Sequence, residues 1–237
     1  MKLLALDTST DTMSIAVQHG DSVFEHTGAG GAQASSTLIP AIEALLQRAG
    51  LQYAQLDAIV FGRGPGSFTG LRTACSVVQG LAFGANVRVL PVDTLMALAQ
   101  EARILADEQG LDATRILCAL DARIGEIYLD YYEFNSTSRS IYAGDLLKKP
   151  QNLLEKIDLQ PTLMAGNIRP TLDAQLTPQA LALPYLQALP AARALLKLAP
   201  PLIDAGGLVD AEYALPFYIR DKVALTTAER EAHNTKL

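Results

Sequence analysis

Leu3-Leu4-Ala5-Leu6-Asp7, near the start of the chain, returns as Leu117-Cys118-Ala119-Leu120-Asp121 halfway along it. Each is a short apolar run closed by an aspartate. Each is followed by a polar connection and a second strand-forming stretch, residues 13–17 in the first case and 126–134 in the second. In the latter, Ile127, Leu129 and Tyr131 alternate with Tyr128, Asp130 and Tyr132, the period of a strand with two distinct faces. Around the first copy, His19-Gly20-Asp21 makes a turn and residues 22–26 a third strand. The polar, glycine-rich stretch 28–35 leads to a helix beginning near Ser36. On it Leu38, Ile42, Leu45, Leu46 and Ala49 share one face, Pro40 falls in the first turn, and Gly50 ends the run.

Residues 58–61 form a further strand, and a helix runs from about Gly70 to Phe83 with Gly84 as its stop. Residues 88–92 are the next strand, and Asp93 or Thr94 caps a third helix reaching about Gln109. The order β-β-β-α-β-α-β-α predicts an α/β fold: a five-stranded mixed sheet with helices on its faces. The repeated opening predicts an internal duplication, with one lobe over residues 1–109 and a degenerate copy over 110–237. Helices are expected in the second half near residues 151–157 and 191–203. This strand order is similar to that of the ribonuclease-H-like half of actin-like ATPases.

Phe61-Gly62-Arg63-Gly64-Pro65-Gly66-Ser67-Phe68-Thr69-Gly70-Leu71-Arg72 sets three glycines at alternate positions between a strand and a helix. Glycine there permits backbone approaches a Cβ would forbid, Pro65 stiffens the turn, and Ser67 or Thr69 can cap the helix. Three readings stay open: a tight turn packing helix on sheet, a partner contact, or a phosphate cradle at a helix N-terminus. Strict phosphate and nucleophile templates fail. A Walker A loop needs a lysine, and the dinucleotide fingerprint begun at Gly64 puts its last glycine on Thr69. A nucleophile elbow around Ser67 would need glycines where Pro65 and Thr69 stand.

The chain has 237 residues, 49% hydrophobic and 19% charged, enough to build a sizeable core. A net charge of −6 without a lysine cluster argues against gripping RNA unaided. Cys75 and Cys118 lack CxxC spacing and read as buried free thiols. The opening residues meet a charge too early for a signal peptide, and no run approaches the roughly 20 apolar residues of a membrane span. The polar residues after Leu225 read as a loose tail. A cytoplasmic protein with no membrane partner is expected.

Leu4-Ala-Leu-Asp-Thr-Ser9, the glycine loop, Gln79-Gly-Leu-Ala82, Ala119-Leu-Asp-Ala-Arg123 with Gly125-Glu-Ile-Tyr128, and Pro216-Phe-Tyr-Ile-Arg220 together resemble the TsaB (YeaZ) family. The motifs follow family order from residue 4 to residue 220, and the match is poor between about 135 and 210. The resemblance implies an actin-like ATPase (ribonuclease-H-like) fold of two related lobes. It implies a role in making threonylcarbamoyladenosine next to the anticodon of tRNAs that read codons starting with A. It further implies a non-catalytic scaffold or activator working with TsaD, the paralogue that transfers the threonylcarbamoyl group, and with the ATPase TsaE. Such a subunit meets tRNA through the complex, leaves ATP and the divalent metal to its partner subunits, and forms a homodimer when alone.

Candidate residues follow. The first helix stripe (Leu38, Ile42, Leu45) and a small face on the second (Gly70, Thr73, Ala74, Val77, widening to Leu81) would let two helices meet a partner in a bundle. The competing reading puts both stripes on their own sheet. Asp7, Thr8, Ser9, Gly64, Gly66 and Ser67 are the candidates for a weak nucleotide or phosphate contact. Against them, the turn Asp7-Thr-Ser-Thr-Asp-Thr12 has no glycine, and Asp11 would repel an anion. Asp7 and Asp121 could pair on magnesium or simply bond their own turns. Arg63 and Arg72 could hold a phosphate, a partner carboxylate, or surface ion pairs. Tyr128, Tyr131 and Tyr132 suit either base stacking or a half-buried strand.

TsaD relatives carry a His-x-x-x-His metal motif, whereas His19, His26 and His233 lack that spacing, so neither a metal site nor an M22-type metallopeptidase is expected. Many TsaB sequences have a histidine just before the first helix, and Ala34 stands there. No catalytic residue is assigned. The alternative is a nucleotide-binding actin-like ATPase or kinase-like enzyme acting in its own cleft.

Overall fold

The aspartate-closed run Lys2–Asp7 forms β1 of the computed structural model, which describes residues 1–134, 147–154 and 161–219. Its apolar residues alternate between two covered faces, so the strand is buried along almost its whole length. β2 (Thr12–His19) runs antiparallel to it and β3 (Ser22–Ala29) antiparallel to β2. On the other side β4 (Ala58–Gly64) and β5 (Val89–Asp93) continue parallel, giving the order β3-β2-β1-β4-β5. β3 is the polar, exposed edge.

The second sheet repeats this plan. β6 (Arg115–Arg123) takes the place of β1, β7 (Glu126–Glu133) and β8 (Leu147–Lys148) follow antiparallel, and β9 (Leu163–Gly166) and β10 (Tyr185–Gln187) run parallel. The order β10-β9-β6-β7-β8 mirrors the first sheet strand for strand. The alternation in β7 separates two cores: Ile127, Leu129 and Tyr131 enter one, Tyr128 and Tyr132 the other. All three tyrosines are buried, which withdraws them from base stacking.

Helices α1 (Ala34–Ala49) and α2 (Phe68–Ala85) cover one face of the first sheet. α3 (Thr94–Gln109) instead packs Leu95, Leu98 and Ala102 on the second sheet. Two short helices, α4 (Arg169–Leu172) and α5 (Pro178–Ala182), contribute to the core on that sheet's far side. α6 (Ala192–Asp204) returns to the first sheet, where Leu195 and Leu196 meet Leu3, Ala5 and Val60. A cut at 109/110 therefore divides the sheets but not the cores. α3 and α6 touch, and Arg193 grips Glu101 with contacts of 2.6–3.0 Å.

Element ends differ from the sequence expectation in two instructive places. α1 starts at Ala34 rather than Ser36, which leaves Pro40 inside the helix, on its exposed side. α2 runs past Gly84 to Ala85 because Asn86 supplies the left-handed cap (φ 54°, ψ 47°), a conformation asparagine tolerates. Where a helix is expected near 151–157, Pro150–Asn152 forms a 3-10 helix and residues 153–154 a turn, and residues 155–157 lie outside the described residues. Arg220 and the polar tail also lie outside them.

Candidate functional site

The turn after β1 is built inward. Asp7 is fully buried, and its Oδ1 accepts from the Ser9 amide (2.8 Å) and hydroxyl (2.6 Å). Its Oδ2 finds no hydrogen-bond partner. Loss of water pushes the Asp7 carboxyl up to about 6, against the opposing pull of the two Ser9 bonds. Asp121 repeats the motif in the second lobe, accepting from the Arg123 amide at 2.7 Å. Both aspartates thus bond their own turns, the local use this side chain favours.

The glycine loop is shaped by that turn. A Cβ on Gly62 would run into Asp7 Oδ2, and one on Gly70 into the Thr8 carbonyl. Thr8 Oγ1 donates to the Gly70 carbonyl (2.7 Å), the Ser67 amide donates to the Ser9 carbonyl (2.7 Å), and the Gly64 amide donates to Thr94 Oγ1 (3.1 Å). The glycines let a strand, a turn and a helix start close on one another. Ser67 stands at the N-cap of α2 without a side-chain cap bond, and Asp93 at that of α3 is taken by Arg63 (2.7 Å).

Between the lobes lies a cleft of about 360 Å³. Residues 9–11 and 66–69 form one wall; residues 120–124 with Tyr128, Asn167 and Thr171 form the other. Of the six phosphate candidates, Ser9, Gly66 and Ser67 reach this wall. Asp7, Thr8 and Gly64 do not, because they are buried behind it, with Asp7 Oδ1, the Thr8 hydroxyl and the Gly64 amide bonded internally. The charges lining it are Asp11, Asp121 and Arg123, and the Arg123 guanidinium bridges to Asp11 at 2.7 Å. Asn167 Oδ1 accepts from the Asp121 amide at 2.8 Å. Two carboxylates against one engaged guanidinium make a poor receptor for a bare polyphosphate. Among the described residues, no group of three His, Cys, Asp or Glu side chains is placed to hold a metal ion.

The outer face of α1 and α2 differs in character. Leu38, Ile42, Leu45 and Ala74 belong to the protein's own core, and Gly70 is buried against the Thr8 turn, so these five interface candidates are corrected to internal packing. Thr73, Val77 and Leu81 remain half-buried at the edge of that core. Beyond them a groove of about 660 Å³ opens between the helices, lined by Glu43, Leu46, Gln47, Gly80, Leu81 and Gly84 together with residues 51–54 and Ala85. Beside it Phe83 stands 85% exposed and Ile39 43%. Phe83 is the most exposed large apolar side chain among the described residues.

The last described segment carries the Pro216-Phe-Tyr-Ile motif. Residues 215–219 cross the glycine loop, with the Tyr218 ring stacked on Phe68 at 4.4 Å and Arg72 Nε donating to its hydroxyl at 3.0 Å. The Pro216-Phe-Tyr-Ile run was the available signal, but nothing in it names the surface it meets. Arg63 and Arg72 are thereby accounted for by Asp93, Phe217, Phe68 and Tyr218. Cys75 and Cys118 are buried free thiols, and burial pushes Cys75 up to about 11.

Fold and cleft define an actin-like, ribonuclease-H-like α/β protein with two related lobes, and comparison with known proteins narrows the class. Residues 29–189 match the family model described as TsaD, tRNA N6-adenosine threonylcarbamoyltransferase. The tRNA threonylcarbamoyladenosine biosynthesis protein TsaB of Escherichia coli (strain K12) is 32% identical over 233 residues, covering 94% of this chain and 96% of its own length. The structure of YeaZ from Pseudomonas aeruginosa superposes with a TM-score of 0.79 at 34% identity, covering 92% of this chain and 99% of that one. A second Pseudomonas aeruginosa structure, of a protein with similarity to peptidase YEAZ, gives 0.81 at 36% identity over the same shares. The chain belongs to the TsaB (YeaZ) family. Among the described residues, no helix is long and apolar enough to cross a membrane.

Proposed function

We propose that this chain is a non-catalytic subunit in the formation of threonylcarbamoyladenosine in tRNA, docking through the α1–α2 face onto a TsaD-type transferase and activating it. The observation that carries this reading is Phe83, 85% exposed beside the groove of about 660 Å³. Burying one such ring is worth about 1.5–3 kcal/mol, the usual size of an interface anchor. Gly80 and Gly84 keep the groove open for a partner helix, Leu81 lines it, and Thr73 and Val77 continue the half-buried stripe along α2. TsaE joins the assembly, tRNA is met through it, and ATP with its divalent metal sits on the partner subunits. Without TsaD the same face pairs two copies of this chain about a two-fold axis.

The test is light scattering after size-exclusion chromatography, on the chain alone and mixed with a TsaD from the same source, followed by a transfer assay with TsaE, ATP and tRNA. A mixed complex that Phe83→Glu disrupts, with transfer restored only by the intact chain, supports the reading. One alternative, a nucleotide-dependent enzyme, rests on the first turn of α2 and Arg123 lining the cleft, with Asp11 and Asp121 there counting against it. Micromolar ATP binding by the isolated chain in calorimetry, with no TsaD complex, would replace the first reading with the second.

A further inference from the structure

We infer that the segment 207–219 is a clasp that limits how far the two lobes part at the cleft. Its first half is stitched to the first lobe. Val209 exchanges both backbone hydrogen bonds with Val89 (2.9 Å each), and the Glu212 carbonyl accepts from Gln79 on α2 (3.4 Å). Ala214 is buried in the core beneath α1 and α2. Its second half then alternates like a strand. Phe217 and Ile219 turn to the core cluster of α3, β6 and β7, while Tyr218 between them turns to α2. Consecutive side chains therefore join the core that α3 shares with the second sheet to the first turn of α2.

The seat is specific. The Phe217 amide donates to the Arg63 carbonyl at 2.7 Å, and the Arg63 guanidinium lies 5.4 Å from the Phe217 ring while held by Asp93. Gly64, with φ at +124°, leaves no room for a Cβ against the Phe217 carbonyl. The Tyr218 and Phe68 rings lie 9° from parallel, and Arg72 packs against both, 5.5 Å from Phe68 and 5.9 Å from Tyr218. Phe68 and Thr69 are themselves cleft wall. The ion pair that spans the cleft, Arg123 with Asp11, has side chains 66% and 82% exposed, and a pair so wet holds little. The clasp, built of a ring stack, a stacked guanidinium and a main-chain bond, is the stronger fastening on the cleft side. The lobes are also joined through the contact between α3 and α6.

Hydrogen exchange on the full chain tests this. Tyr218→Ala should lower amide protection in residues 62–72 and 120–124 by roughly three- to tenfold, the effect of one lost ring stack. Protection in β1 and α6 should stay as it was. Tyr218→Phe keeps the stack and should change protection by less than about twofold. Spin labels at Ser67→Cys and Ile124→Cys, on opposite cleft walls, should report a longer and broader distance distribution in Tyr218→Ala than in the parent. Unchanged exchange and unchanged distances would overturn the clasp. So would a loss of protection spread evenly over β1 and α6, because that is ordinary destabilisation.

Discussion

At the scale of single residues, the glycine loop and the Asp7 turn set opposing effects against each other. Replacing Gly70 by alanine would gain about 1 kcal/mol of helix propensity in α2. It also drives a Cβ into the Thr8 carbonyl, and overpacking against backbone costs about 1–3 kcal/mol. Gly70→Ala is therefore expected to lower stability by up to about 2 kcal/mol in urea unfolding; a stabilised variant would show that the turn yields. Asp7 titrates near 6 in the fold and near 3.8 when exposed, so the native state binds the extra proton between those values. Stability from this group is then highest below about 4 and falls as pH rises through 6, by on the order of 2–3 kcal/mol. The stability of Asp7→Asn relative to the parent should rise between pH 4.5 and 7.5 and level off above it. A difference flat in pH would place the charge elsewhere. Asx-turn bonding by both aspartates was legible from their place at strand ends. The unpartnered Oδ2 was not, since it depends on Gly62 lying against it across the sheet.

Elements show why a stripe of apolar residues misled. Helical periodicity names the face a helix buries, and Leu38, Ile42 and Leu45 mark the side of α1 that meets its own sheet. The proposed docking face differs in what breaks the pattern: Phe83 and Ile39 out in solvent, and two glycines in a helix that Asn86, not Gly84, terminates. A Cβ at Gly80 or Gly84 would meet nothing within 4 Å. Gly80→Ala and Gly84→Ala should each stabilise the chain by about 0.5–1 kcal/mol. The same methyl groups fill the groove, so the pair should weaken the complex with TsaD about tenfold or more while raising Tm. Opposite signs for stability and binding would identify a surface kept open for a partner. If affinity held while Tm rose, the groove would be an unoccupied side of α2.

At the scale of the molecule, the five-residue echo foretold the duplicated sheets, because a strand's partners follow from short connections that can be read in order. It did not foretell which sheet each helix covers. α3 and α6 are amphipathic whichever neighbour they choose, and the choice rests on packing between segments some ninety residues apart, as Arg193 and Glu101 are. Exchange of helices has a thermodynamic consequence. Glu101 is only 6% exposed, and removing its partner leaves a carboxylate short of water and of hydrogen bonds. Arg193→Met should cost about 2–4 kcal/mol, more than Glu101→Gln, which removes the charge itself. Because each sheet depends on a helix from the other half, the intact chain should unfold in one transition, with fluorescence and circular dichroism coincident. The 1–109 fragment should show no cooperative transition, since Leu3, Ala5 and Val60 would lose α6 and Leu95, Leu98 and Ala102 would lose the second sheet. A cooperatively folding 1–109 fragment, or two separate transitions in the whole chain, would mean that each lobe holds its core alone and that the α3–α6 contact is a hinge between finished domains.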